Sequence, residues 1–284
     1  MVINREEEIM QIEVRKCAFC GAQLQPYAKF CPNCGSPVPE AHLTRRIQTG
    51  ITGTPPLDEL IEGGFEEGKT YLIAGETGTG KTIFSLQYLL HGIKLGEPGV
   101  YVTVDERPER LINDVLKFGW NLKTPIQEGT LSIPPLIEYF AQKVWGKEVS
   151  DIIGSIVDAL TEECERVGAE RLVIDPVAPL VATHTHELAW TREYIRSLIF
   201  EIENKLGTTT IVTSEVPTGE PTLSRFGVEE FLASGIIVLG LMRMGNRIIR
   251  TMYIRKMRWT KIQPAIYEVE IIRAKGIVIK RLLS

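Results

Sequence analysis

No apolar run in this 284-residue sequence approaches the roughly 18 residues a membrane-crossing helix requires, and the longest, Gly235 to Met242, reads as a buried strand. Cysteine is scarce. Four of the five cysteines fall in two close pairs near the amino end, which is not the layout of a secreted disulfide framework, and Cys164 stands alone in a helical pattern as a small core residue. Neither sign of charge dominates: 32 Lys and Arg face 36 Asp and Glu, a net charge of -4. Nucleic acid and anionic lipid are therefore not indicated by charge, and only a local basic patch would reach them. Residues Met1 to Met10 carry Glu6, Glu7 and Glu8 and lack the apolar centre of a secretion signal. The expectation is a soluble, cytoplasmic protein, and a 44% hydrophobic content suffices for one α/β core with a small appendage.

What is present centres on Gly75-Glu76-Thr77-Gly78-Thr79-Gly80-Lys81-Thr82, which has the spacing of a phosphate-binding P-loop. Tyr71 to Ala74 before it reads as a buried strand, and Ile83, Leu86, Leu90 and Ile93 after it recur at helical spacing. The loop thus joins the carboxyl end of a strand to the amino end of a helix, where backbone N–H groups converge on phosphate. Gly75, Gly78 and Gly80 permit the close approach, Lys81 adds a cation for the β- and γ-phosphates, and Thr82 adds a hydroxyl ligand for Mg2+.

Cys17-Ala18-Phe19-Cys20-Gly21 and Cys31-Pro32-Asn33-Cys34-Gly35 form two Cys-x-x-Cys-Gly knuckles. Four thiolates at this spacing suit one tetrahedral Zn2+ with no open position, a structural site that would supply much of the folding free energy of so short a segment. Prolines 37 and 39 open a linker, giving an expected ribbon and linker over 1–45 and an ATPase domain over 46–284.

Further along, Val100 to Val104 reads as a strand closed by Asp105-Glu106, carboxylates placed where ligands bind in open α/β sheets. Glu106 is positioned to take a proton from an attacking water, with Asp105 tuning charge or holding the metal shell; a solvated acidic turn capping the next helix is the plainer alternative. Arg171 to Asp175 is an apolar run ending in Asp, the form of a Walker B element whose carboxylate meets Mg2+ directly or through water. Ser214-Glu215 closes another strand and is placed to sense the γ-phosphate. His184 and His186 lie in a loop without further ligands nearby, and Pro217 to Arg225 reads as a loop. In Arg250 to Arg258, period two puts Lys256 and Arg258 on one face, as phosphate contacts or as part of a solvated edge strand.

The run Gly53 to Thr82, the pair Asp105-Glu106, the strand Arg171 to Asp175 and the segment Arg225-Phe226-Gly227-Val228-Glu229-Glu230-Phe231 together resemble the KaiC group of RecA-superfamily ATPases. The resemblance implies an α/β, RecA-like P-loop NTPase core with a mostly parallel central sheet, binding ATP or ADP with Mg2+ and assembling as a homo-hexamer with nucleotide between subunits. It implies Glu106 as catalytic carboxylate, Asp105 as its partner, and Lys256 and Arg258 as phosphate contacts supplied to a neighbouring subunit. The knuckles are foreign to the circadian-clock protein of that group and resemble those of RadA-type recombination proteins. Alternatives of another class are a nucleotide-dependent DNA-binding or recombination module and an ATP-controlled switch recruiting a protein client through the ribbon; Ser/Thr autokinase activity is a further enzymatic one.

Overall fold

A computed structural model describes residues 16–17, 19–24, 30–36, 45–135, 149–180, 188–216 and 233–283. The chain divides into two compact units, Met1–Thr44 and Arg45–Ser284. The histidines at 184 and 186, the loop from Pro217 to Arg225 and the segment from Arg225 to Phe231 lie outside the described residues. Among the described residues no helix is long and apolar enough to cross a membrane.

In the first unit an isolated bridge joins Lys16 to Gln23. Among the described residues its buried cluster is Cys17, Leu24 and Cys31, with Ala22 packed against it. An apolar cluster of that size cannot offset the entropy of ordering the chain, so the cross-links must come from elsewhere.

The second unit opens with β1 (Arg46–Ile47), β2 (Thr52–Gly53), α1 (Leu57–Leu60), β3 (Phe65–Glu66), β4 (Thr70–Gly75) and α2 (Lys81–Lys94). It continues through β5 (Gly99–Thr103), α3 (Pro108–Phe118), α4 (Lys123–Gln127), β6 (Leu131–Ser132), α5 (Val149–Val167), β7 (Arg171–Asp175) and α6 (Leu188–Leu206). It closes with β8 (Thr209–Glu215), β9 (Gly235–Met244), β10 (Arg247–Met257), β11 (Ile266–Ile272) and β12 (Gly276–Leu282). Among the described residues one ten-stranded sheet runs in the order β2-β12-β11-β10-β9-β4-β8-β7-β5-β6. From β9 to β6 every pairing is parallel; β9 through β12 form an antiparallel meander.

Alternation explains why the parallel strands are apolar throughout. Leu72, Ala74, Val102, Leu172 and Ile174 face a core closed by α5 and α6, while Tyr71, Ile73, Tyr101 and Val173 face a second core closed by α2 and α3. With a helical layer on either side, both sets are buried, and the carboxyl ends of β4, β5, β7 and β8 meet at one edge. Expectation and structure agree on this α/β, mostly parallel core.

Two readings of the meander need correction. Gly235 to Met242 is not a uniformly buried strand: β9 continues to Met244, and Leu241 and Met244 are about half exposed. Its pairing with β4 ends at Leu239, and β11 reaches along β10 only to Arg250, so the hairpin tip extends past its neighbours. Likewise, β10 is an interior strand between β9 and β11, not an edge. A register shift between Ile254 and Lys256 interrupts period two, and the strand ends at Met257, before Arg258.

Candidate functional site

Phosphate geometry starts at Gly80, which caps α2 with φ 110° and no side-chain cap. Glycine tolerates that φ, and the first amides of the helix are left directed out of its amino end. An added Cβ at Gly80 would also lie 2.9 Å from Ile271 Cδ1. Earlier in the loop, Thr79 Oγ1 donates to the Glu76 carbonyl at 2.8 Å, holding the turn closed. Lys81 is buried, and its Nζ donates to the carbonyls of Gly75 at 2.8 Å and Glu76 at 3.1 Å. Burial pushes the Lys81 ammonium below its ordinary pKa, opposed by the nearby Glu215 and Asp175 carboxylates.

Asp175, at the end of β7, is the centre of a hydroxyl cluster. Thr82 Oγ1 donates to Asp175 Oδ2 at 2.8 Å and Tyr101 Oη to the same oxygen at 2.5 Å. Thr213 Oγ1 donates to Asp175 Oδ1 at 2.5 Å. Burial, then the Asp175 charge, drives the Tyr101 phenol well above its usual range, so it remains a proton donor. A threonine hydroxyl and a carboxylate are hard oxygen donors, a set that fits Mg2+.

Gly80, Lys81, Thr82, Tyr101 and Asp175 face one cavity of about 410 Å³, lined also by Thr77, Gly78, Asp105, Glu106 and Glu215. The structure therefore brings the P-loop, Asp105, Glu106, Asp175 and Glu215 together. Helix α3 begins with Pro108 in its first turn, and Arg107 occupies its cap position without a side-chain cap bond. Glu106 Oε1 lies 3.2 Å from Arg110 Nε, one turn along. Its backbone is pinned by Thr103, whose hydroxyl donates to the Glu106 carbonyl at 2.8 Å.

Lys256 and Arg258 do not line this cavity. Lys256 is half-buried at the end of β10, its ammonium pushed down by burial and then by the Arg258 charge. Another cation of β10 reaches the loop: Arg250 Nη2 donates to the Gly78 carbonyl at 3.4 Å. Arg250, Tyr101 and Thr213 went unrecognised in the sequence. The available signal for two of them was a hydroxyl in a strand apolar on both faces.

In the first unit the sulfurs of Cys17, Cys20, Cys31 and Cys34 lie within 4.8 Å of one another. Cys17 to Cys34 and Cys20 to Cys31 are each 3.6 Å apart, close to the ~3.8 Å edge of a tetrahedron with Zn–S of 2.3 Å. The two knuckles repeat one geometry. Gly21 N donates to the Cys17 carbonyl at 2.8 Å and Gly35 N to that of Cys31 at 2.9 Å. Both glycines have φ 71°, where a side chain is disfavoured. Four soft thiolates are a donor set for Zn2+.

Comparison with known proteins bears on both units. The family model described as the ATPase KaiC matches residues 47–284, and a zinc-ribbon domain model matches residues 16–38. The circadian clock oscillator protein KaiC of Thermosynechococcus vestitus is 34% identical over 219 residues, 76% of this chain but 40% of that protein. A UPF0273 protein of Pyrococcus horikoshii is 34% identical over 229 residues, 77% of this chain and 87% of the relative. Among solved structures, a KaiC-like protein of Pyrococcus horikoshii superposes with a TM-score of 0.69 at 38% identity, covering 83% of this chain and 99% of the other. With the P-loop geometry and the family match in agreement, the chain belongs to the KaiC ATPase family and carries a zinc-ribbon domain ahead of its ATPase domain.

Proposed function

We propose that the protein is a Mg2+-dependent ATPase that works as a cytoplasmic homo-hexameric ring, with nucleotide held between subunits. The observation that carries this reading is the single cavity shared by the start of α2, the Thr82–Asp175 hydrogen bond and the carboxylates Asp105 and Glu106. The amides of Gly78 through Thr82 and the Lys81 ammonium bind the phosphates of ATP. Thr82 and Asp175 hold Mg2+, which when bound neutralises phosphate charge. Glu106 accepts a proton from a water attacking the γ-phosphate, giving ADP and inorganic phosphate, while Asp105 keeps the local field negative and Arg110 restrains the Glu106 side chain.

Lys256 and Arg258 act in this proposal on the nucleotide of the next subunit. Their absence from the cavity of their own subunit supports a role in trans. Hydrolysis is then conditional on assembly. Zn2+ on the four cysteines cross-links the ribbon, whose exposed Phe19 and Phe30 support contact with a protein client.

The test is ATP hydrolysis across a protein concentration series, with oligomer mass recorded on the same samples and with Glu106→Gln and Arg258→Ala alongside. Specific activity should rise with ring formation and collapse in both variants. Activity independent of assembly that survives Arg258→Ala would overturn the role in trans.

A further inference from the structure

We infer that Tyr101 and Thr213 are positioning residues for the cation-binding carboxylate, a hydroxyl clamp on Asp175 that leaves Thr82 to face the cation. The inference rests on the ATP and Mg2+ reading of the cavity. Strand β7, which ends in Asp175, lies between β5 and β8 in the sheet. Each neighbour sends one hydroxyl to it: Tyr101 from β5 to Oδ2 and Thr213 from β8 to Oδ1. The carboxylate is thus held on both oxygens, from both sides.

Lone-pair accounting shows what the clamp accomplishes. An aspartate carboxylate offers about four acceptor positions. Tyr101 and Thr82 take two on Oδ2 and Thr213 takes one on Oδ1, so about one position, on Oδ1, is left for the cation or a water bound to it. Thr82 spends its only proton on Asp175, and both lone pairs of its oxygen remain available. With Asp175 fixed, the Thr82 hydroxyl is fixed too, and the carboxylate meets the cation through its remaining position, directly or through water.

Ordinary satisfaction of a buried phenol does not require this arrangement. Tyr88 Oη donates to the Thr209 carbonyl at 2.9 Å and Tyr194 Oη to the Leu180 carbonyl at 2.7 Å, both into backbone. Tyr101 is as deeply buried as these, yet its partner is a side chain lining the cavity. Thr213 is likewise fully buried and spends its proton on the same carboxylate.

The experiment titrates MgCl2 into full-length protein bound to a fluorescent N-methylanthraniloyl ATP, for wild type, Tyr101→Phe, Thr213→Val and Thr213→Ser, with Tyr194→Phe as the control for loss of a buried phenol. Nucleotide affinity in EDTA is measured first. It should be unchanged in every variant, because the clamp does not touch phosphate. The Mg2+ midpoint should rise about tenfold in Tyr101→Phe and Thr213→Val, in the range seen when a residue supporting a metal ligand is removed. It should return toward wild type in Thr213→Ser and stay at wild type in Tyr194→Phe. Should Tyr101→Phe fail to fold by circular dichroism, the Val and Ser pair at position 213 decides. Midpoints equal to wild type in Tyr101→Phe and Thr213→Val would overturn the clamp. A wild type that does not bind the nucleotide, or binds it without Mg2+ dependence, would instead overturn the function on which the clamp rests.

Discussion

Arg171 is completely buried at the start of β7, and its guanidinium is paired with Glu97. Nε donates to Glu97 Oε2 at 2.8 Å and Nη2 donates to the same oxygen. Nη1 donates to the carbonyls of Gln48 and Tyr88, and the guanidinium carbon sits 4.4 Å from the Tyr88 ring centroid. Arg45 extends the network by bonding Glu97, Glu67 and Glu170. This cluster lies at the strand ends opposite the P-loop. A buried ion pair adds little over an apolar pair, but half of one is costly. Arg171→Ala should therefore lose about 3–5 kcal/mol in urea denaturation, by leaving Glu97 with only the half-exposed Arg45 and the Gln48 and Tyr88 carbonyls without their donor.

Room for that arginine comes from Gly92. An added Cβ on this residue of α2 would lie 2.2 Å from Arg171 Nε and 2.4 Å from its Cδ. Alanine is the better helix former by about 1 kcal/mol, so Gly92→Ala would stabilise the protein if propensity decided. The contact decides instead. The variant should melt lower than wild type, and the loss should shrink in an Arg171→Ala background, where the obstructing Cδ, Nε and Cζ atoms are absent. Equal losses in both backgrounds by calorimetry would refute the steric account.

A pH effect follows from His91, on the same helix. Its imidazole is held below its ordinary pKa by burial first and by the Arg171 charge second; Lys94 acts in the same direction, while Asp58 and Glu97 oppose. The folded protein thus binds this proton less readily than the unfolded chain does. Below the ordinary value near 6.5 the unfolded state takes up more protons, so stability falls as pH drops. Between pH 7.5 and 5.5 the melting temperature should fall less steeply in His91→Gln than in wild type. Parallel slopes would show that His91 contributes nothing to the trend.

The ribbon should depend on its thiolates far more than on its core. With Cys17, Leu24 and Cys31 as the buried cluster among the described residues, a ribbon held by Zn2+ should lose its knuckles when the metal is removed. Hydrogen exchange at Gly21 and Gly35, whose amides donate to Cys17 and Cys31, should become fast on treatment with a zinc chelator. Exchange in β4 and β8 should not change. Protection at both glycines that survives complete removal of metal would sink the structural-zinc assignment.

Local spacing made the P-loop, the Asp at the end of β7 and the cysteine knuckles readable from sequence, because each is a set of near neighbours whose chemistry requires that spacing. What was hidden depends on strand order. Tyr101 and Thr213 are 112 positions apart, as their numbers give, and meet only because β5 and β8 flank β7. Arg250 reaches Gly78 across 172 positions. The edge-strand alternative for Arg250 to Arg258 failed for the same reason, because only the strand order shows β10 enclosed by β9 and β11.

Two glycines of the P-loop are required for different reasons, and alanine substitutions separate them. At Gly75 an added Cβ would lie 2.4 Å from the Leu239 carbonyl oxygen and 2.7 Å from Thr79 Oγ1. The obstacle at Leu239 is backbone of β9, which pairs with β4 at this position and cannot yield without opening the sheet. Gly78 has open space around it but φ 82°, so alanine there meets only the left-handed penalty of about 1–2 kcal/mol. Gly75→Ala should therefore lower both the melting temperature and nucleotide affinity, the latter more than tenfold. Gly78→Ala should lose at most a few degrees of melting temperature and retain the β4–β9 pairing by hydrogen exchange. If Gly75→Ala melts with wild type, the close approach of β9 is not what excludes a side chain from the start of the loop.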